Sequence, residues 1–249
     1  MSISCQYKPL ILRILVLRFT ACSIFLFASN SYAKDYYLTL REWWEHSSST
    51  NAINKTKSNL GLPLLRGQTA SLPSGSLMEL AGSNGEVFRL GGGTQFTLLH
   101  DRQFRLLAGA CVLYNPASVD PLRILGPATE VWLSGEGTLA FQVTANRGFK
   151  IICLSHQPTL EIAGRASTLE PARVYFLPPN VPQLGQSLTI DLSLFTRTSQ
   201  LITGFQGQLP SKRIMRKTAF QQAINIHSRS NVFVGDATSP KDFDLLVVD

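Results

Sequence analysis

Between residues 65 and 180 the chain consists of short apolar runs, each closed off by glycine, proline or a polar turn. Leu77-Met78-Glu79-Leu80 stands between Gly75 and Gly82, and Val87-Phe88-Arg89-Leu90 between Gly85 and Gly91-Gly92-Gly93. The stretch 94–99 stops at His100-Asp101, and runs at 104–107, 110–114, 122–125, 130–133, 139–143, 149–154, 160–162 and 173–177 continue the series. They are rich in β-branched and aromatic residues and too short for helices, and no amphipathic helical window interrupts them, so they predict strands joined by turns. The expected fold is mainly β: a short-stranded β-solenoid or roll, or a sandwich, over residues 65–180, with a C-terminal α-helical extension.

A weak internal repeat favours stacked units. Phe88-Arg89-Leu90, Leu122-Arg123-Ile124 and Leu160-Glu161-Ile162 are each an apolar-charged-apolar triplet followed two residues later by Gly92, Gly126 and Gly164. One charge between two apolar residues suits a strand with one face buried and the other in water. Recurrence at intervals of some tens of residues is the mark of repeating architectures.

The chain carries 23 Lys plus Arg against 16 Asp plus Glu, a net charge of +7. Where the excess lies decides what it means. Residues 1–33 hold Lys8, Arg13 and Arg18 and no acid, then an apolar run from Phe19 to Ala28, then Ser31-Tyr32-Ala33. A basic start, an apolar centre and small residues before the break predict a signal peptide cleaved after Ala33 and a periplasmic or secreted protein. Cleavage removes three cations and no anion and lowers +7 to +4. The alternative is an uncleaved anchor, with membrane contact expected only through residues 9–29. Arg13 and Arg18 weigh against it, because a charge at mid-bilayer costs about 2.5–3.5 kcal/mol. The remaining charge is spread out, without the concentrated basic face and interleaved aromatics of a nucleic-acid binder.

Residues 34–64 read as an N-terminal segment and linker. Leu38, Leu40, Trp43 and Trp44 form an apolar side, and the paired tryptophans are expected to dock this segment on the core rather than to form a ligand platform. Ser47 to Asn51 reads as a polar linker. Residues 181–228 form the C-terminal extension. Helical turns or short strands are expected at 192–195 and 199–202. A helix is expected over 212–227, where Ile214, Met215, Ala219, Phe220, Ala223 and Ile224 recur at mostly three- and four-residue steps. Lys212, Arg213, Arg216 and Lys217 crowd its first turns, where cations oppose the helix dipole. They are read as a solvated face, or as a contact for an acidic partner or a membrane surface. Residues 229–249 are a tail ending in Asp242-Phe243-Asp244-Leu245-Leu246-Val247-Val248-Asp249, read as an extra strand or a docking peptide.

The stretch from Gly67 to Leu177 resembles the periplasmic portion of FecR-type proteins. The residues carrying the likeness are Leu72-Pro73-Ser74-Gly75-Ser76, Glu86-Val87-Phe88-Arg89-Leu90 with Thr94-Gln95-Phe96, Leu106-Leu107-Ala108-Gly109-Ala110, Leu125-Gly126-Pro127-Ala128 and Gly135-Glu136-Gly137-Thr138. The resemblance covers about half the chain. It implies an all-β module that senses or binds other proteins rather than one that catalyses. Family members in iron-uptake signalling resemble a cytoplasmic anti-sigma segment, a membrane helix and a periplasmic part, and no such segment precedes the apolar run here. The reading is therefore a non-enzymatic, FecR-like module at the envelope with an envelope protein or glycan as partner. A membrane-anchored signalling regulator and a carbohydrate-active β-protein are the alternatives.

No catalytic, cofactor or metal residue is assigned. His46, His100, His156 and His227 are scattered, and neither H-E-x-x-H nor C-x-x-C occurs. Gly91-Gly92-Gly93 lacks the Lys-Ser/Thr of a phosphate loop, and Ser134 lacks the first glycine of a nucleophile elbow. Cys111 and Cys153 remain after cleavage. They are read as buried thiols in preference to a disulfide, because the sequence fixes no Cα separation. His156 follows Cys153 by three residues and so points to the other side of an extended strand. Glu130 with Glu136, or Glu79 with Glu86, would suit glycan cleavage only at separations of about 5–5.5 Å or 6.5–9.5 Å. Scattered surface acids are the expectation.

Overall fold

A computed structural model describes residues 37–46, 53–54, 63–117, 120–225, 232–234 and 245–247; for 44–46, 53–54, 225, 232–234 and 245–247 only the backbone is described. The chain divides into two units, Met1–Lys34 and Asp35–Asp249. The first, with its signal-peptide reading, lies outside the described residues, as do the linker at 47–51 and most of the 229–249 tail.

The first strands are β1 (Leu38–His46), β2 (Ile53–Asn54), β3 (Pro63–Leu64) and β4 (Thr69–Ser71). β5 (Leu77–Gly82), β6 (Val87–Leu90), β7 (Gln95–His100), β8 (Gln103–Ala108) and β9 (Ala110–Asn115) follow. Then come β10 (Leu122–Leu125), β11 (Glu130–Ser134), β12 (Gly137–Val143), β13 (Phe149–Ser155), β14 (Thr159–Ile162), β15 (Arg165–Thr168), β16 (Arg173–Leu177) and β17 (Leu188–Thr189). Helices α1 (Leu192–Thr198), α2 (Gln200–Thr203) and α3 (Lys212–Asn225) precede a last hairpin, β18 (Val232–Val234) and β19 (Leu245–Val247). The fold is mainly β with a small helical C-terminal part, as the sequence predicts.

A ten-stranded sheet has the order β17-β16-β13-β12-β9-β6-β5-β1-β2, with β3 beside β1; a seven-stranded sheet has the order β15-β14-β11-β10-β8-β7-β4. Pairing is antiparallel throughout except between β8 and β10. From β4 onward the chain deals strands to the two sheets in turn: β7-β8, β10-β11 and β14-β15 go to the smaller sheet, and β5-β6, β9, β12-β13 and β16-β17 to the larger. This alternation explains part of the sequence repeat. Leu122-Arg123-Ile124 on β10 and Leu160-Glu161-Ile162 on β14 each open a hairpin of the seven-stranded sheet, so they are structural equivalents. Phe88-Arg89-Leu90 on β6 is out of phase, in the other sheet.

The sheets enclose one core: Phe104, Leu106, Leu122, Ile124, Val131, Leu133 and Leu160 from the smaller, and Phe88, Leu90, Leu113, Leu139, Phe141, Phe149 and Ile151 from the larger. Trp43 packs on it from β1. Alternate residues of the larger sheet, among them Val87, Val112, Ala140, Ile152 and Leu154, turn the other way into a second core with Leu192, Phe195, Leu201, Phe205, Leu209 and Met215. The C-terminal extension thus covers the larger sheet's far face. That is why the strand at Phe149–Ser155 is buried at every position while β10, β11 and β14 alternate. Gly109 at the β8–β9 crossing has φ +77° and backs onto Thr94, whose Cα lies 2.5 Å from where a β-carbon would sit. Thr94 Oγ1 in turn bonds both the amide and the carbonyl of Ala110, at 3.1 and 3.0 Å. Gly109, Thr94 and Ala110 thus lock a crossing between the sheets.

The α3 helix forms where predicted, but its apolar positions are divided. Met215 is buried and Ala219 packs on the second core, whereas Phe220 and Ile224 are exposed. The hydrophobic period marks the helix correctly but overstates how much of it faces the body, because polar contacts set its rotation. Gln222 lies inward, its Oε1 accepting from the Leu192 amide at 3.1 Å and its Nε2 donating to the Ile190 carbonyl. Among the described residues no helix is long and apolar enough to cross a membrane.

Candidate functional site

Cys111 and Cys153 are free and buried. Cys111 pairs across β9–β12 with Phe141, while Cys153 pairs across β12–β13 with Leu139. Their strands are not adjacent, so their Cα atoms stand at least about 9–10 Å apart, beyond the reach of a disulfide. Burial pushes the Cys153 thiol up to about 12 and moves Cys111 the same way, the reverse of what a nucleophile needs. Cys153 Sγ lies 3.6 Å from the carbonyl of His156, not against its ring.

Glu130 and Glu136 lie at the surface, with side chains 39% and 36% exposed, but the other two carboxylates do not. Glu79 and Glu86 are 4% and 0% exposed, and each is neutralised by an arginine. Glu86 pairs with Arg102, whose other terminal nitrogen donates to Asn115 Oδ1 at 2.9 Å, and Asn115 donates to the Gly135 carbonyl at 2.7 Å. The second node is centred on Arg89. Its Nε donates to Glu79 Oε2 at 2.8 Å, its terminal nitrogens reach the carbonyls of Ile202, at 3.0 Å, and Gly207, and its guanidinium stacks 4.5 Å from the Phe205 ring centre. Glu42 on β1 grips the same loop by its amides, accepting from Gln206 at 3.0 Å and Gly207 at 2.9 Å. Burial pulls the Arg89 guanidinium below its ordinary value, while Glu79 and Glu42 act in the opposite sense. The expected solvent-facing charge of the triplet is therefore a buried strut that joins the sheet to its C-terminal cover. A cue was present: Ser83-Asn84-Gly85 marks a turn about which Glu79 and Arg89 fall in register.

Glu136 and His156 form a further constellation that sequence reading missed. His156 Nδ1 lies 3.1 Å from Ser155 Oγ and Nε2 3.4 Å from Glu136 Oε1, and Tyr114 donates to the same oxygen at 3.2 Å. The order Ser-His-Glu suggests acyl chemistry, but Ser155 is fully buried and its Oγ accepts the Thr138 amide at 3.1 Å. A hydroxyl so placed cannot meet a substrate. Ser134 is half-buried at the end of β11, His100 is exposed at the end of β7, and the side chains of His46 and His227 lie outside the described residues. Gly92 is needed for packing, since a β-carbon there would stand 2.5 Å from the Gly75 nitrogen. Among the described residues no three His, Cys, Asp or Glu side chains converge to hold a metal.

The outer face of the seven-stranded sheet is built differently. Strand register aligns Gln103, Arg123, Trp132, Glu161 and Ala166 in one row across β8, β10, β11, β14 and β15. The first three are half-buried and the last two exposed. Glu130 takes two bonds of 2.7 Å from Arg123 and one of 3.0 Å from Trp132 Nε1, and Arg123 lies 5.3 Å from the Trp132 ring centre. Arg123 and Trp132 hold the Glu130 carboxyl below its ordinary value. A pre-ordered patch of one indole and several charged groups can offer stacking and hydrogen bonding at little further cost in side-chain freedom.

No family model matches the chain, and no curated protein matches it. Among solved structures it is similar to two crystal structures of candidate anti-sigma factors from Parabacteroides distasonis. One is 13% identical with a TM-score of 0.44, over 54% of this chain and 64% of that one; the other is 11% identical with a TM-score of 0.40, over 49% and 59%. The chain thus spans less than two thirds of the length of either.

Proposed function

We propose that the chain is an exported, non-enzymatic, FecR-like binding or sensing module of the envelope, which engages another envelope protein or a glycan through the outer face of its seven-stranded sheet. The observation that carries this reading is the contrast between the two kinds of polar group. The buried arginines and their carboxylates are consumed in holding layers together, whereas Gln103, Arg123, Trp132 and Glu161 are aligned in a row within reach of solvent. The FecR-like residues support the same reading, since Gly109 and Thr94 serve the crossing between sheets rather than a reaction.

Capture from envelope extracts tests it, with the full chain and its Arg123→Ala/Trp132→Ala variant run side by side. A protein or glycan enriched by the parent and lost by the variant is the expected result. No enriched partner, or the same partner with both, counts against the reading. Intact mass tests export separately: cleavage after Ala33 is expected, and an unprocessed chain in the membrane fraction would favour the anchored regulator.

A further inference from the structure

The α3 helix carries its chemistry on the side that the fold leaves uncovered. Its rotation is fixed by three inward contacts: Met215 in the second core, Gln222 on the backbone of Ile190 and Leu192, and Ser211, just before the helix, on Thr138 Oγ1. Arg213, Lys217, Phe220 and Ile224 follow one another at steps of four, three and four, so they form a stripe opposite Met215 and Gln222. All four are exposed, Phe220 at 68% and Ile224 at 58%. Arg216 and Ile214 flank the stripe and are also exposed, and no acidic residue occurs anywhere in the helix.

This arrangement works against the fold's own stability. Cations crowd the end of the helix where the backbone dipole is positive, and two large apolar side chains stand in water at the centre of the outer face. We infer that this face docks on an anionic lipid bilayer, with Phe220 and Ile224 entering the interface and Arg213, Arg216 and Lys217 meeting lipid phosphates. Charge complementarity sets the sign of the surface. The side chains favour a bilayer over a protein: a soft interface receives the exposed Phe220 and Ile224 without a matching groove, which a protein partner would have to supply. The inference goes beyond the envelope-module reading and does not depend on it, because anionic lipid is what the helix requires in any compartment. It adds a membrane contact to the one expected only through residues 9–29.

Co-sedimentation of the full chain with vesicles tests it, using phosphatidylcholine alone and phosphatidylcholine with roughly one third phosphatidylglycerol. At low salt, binding to the anionic vesicles should exceed binding to the neutral ones by about tenfold or more and should weaken as salt is raised. The variants Arg213→Glu/Arg216→Glu/Lys217→Glu and Phe220→Ser/Ile224→Ser should each lose about tenfold while melting like the parent. Both keep residues 9–29, so a loss belongs to α3. A Phe220→Trp variant should show an added, blue-shifted emission with anionic vesicles only. Equal binding to both vesicles, undiminished binding by both variants, or an emission of the Phe220→Trp variant that vesicles leave unmoved would overturn the inference and leave this face to an acidic protein or to the chain beyond Asn225.

Discussion

Arg89 and Glu79 face each other across the β5–β6 ladder with 2.8 Å between Nε and Oε2, and both side chains are at most 5% exposed. Their position on the helix-facing side of the larger sheet makes the pair a joint between layers, since Arg89 also holds the Ile202 and Gly207 carbonyls. Removing one partner strands a buried charge. Arg89→Leu should cost about 3–5 kcal/mol, and Arg89→Leu/Glu79→Leu should recover much of that, because a buried pair gains little over an apolar substitute. Denaturant unfolding of the single and double variants measures this. Full additivity of the two single losses would show that the side chains do not act as a pair.

The two buried thiols should make the protein sensitive to alkali. Their ordinary value is 9.0, and burial pushes Cys153 up to about 12 and Cys111 in the same direction. Below about pH 9 folded and unfolded states keep the same protons, and the stabilisation is whole. Above it only the unfolded state releases them, so stability falls by about 1.4 kcal/mol per pH unit for each thiol until the folded values are reached. Burial also raises Tyr114 and Tyr175, which add to the slope above their ordinary value of 10.0. The native thiols should ignore a thiol reagent at pH 8 and react after unfolding. Rapid labelling of Cys111 or Cys153 in native protein, located by peptide mass, would contradict their placement.

Two glycines with the same backbone sign should respond unequally to alanine. Gly109 and Gly67 have φ +77° and +78°, but a β-carbon at Gly109 strikes Thr94 while one at Gly67 meets nothing within 4 Å. Gly67→Ala should cost about 1 kcal/mol for the left-handed backbone alone. Gly109→Ala should cost about 2–4 kcal/mol, because the two sheets must also shift at their crossing. Thermal melts of the two variants compare them.

The split apolar positions of α3 give a further contrast. Met215→Ala should lose about 2–5 kcal/mol, as a buried truncation does, and Phe220→Ala should stay within about 0.5 kcal/mol of the parent. A large loss at Phe220 would mean that its ring is covered within the folded protein.

The Arg123–Glu130 pair is more than a quarter exposed on both sides, so it should contribute at most about 1 kcal/mol. Its depressed carboxyl makes that contribution present above the ordinary value of 4.5 and lost as pH falls through the lower folded value. Arg123→Ala should let the Glu130 carboxyl rise toward the ordinary range in an NMR titration. An unmoved carboxyl would show that Arg123 is not its main partner.

Sequence alone determined where most of the strands fall. Gly and Pro punctuation between short β-branched runs leaves the backbone few other ways to pair its amides and marks β5 to β14 and β16, while apolar residues at three- and four-residue steps mark the α3 helix. The equivalence of Leu122-Arg123-Ile124 and Leu160-Glu161-Ile162 was legible for the same reason, because strand alternation is local. Which face of a strand meets water is not local. Arg89 matches Arg123 in its triplet, yet one is a buried strut and the other a half-exposed member of a surface row, because the C-terminal segment returns over one sheet and not the other. The same return turned Phe220 and Ile224 outward, since the inward hydrogen bonds of Gln222 set the rotation of α3. The fates of Glu79, Glu86 and Phe220 were thus decided by contacts between residues far apart in the chain, which only the packed layers specify.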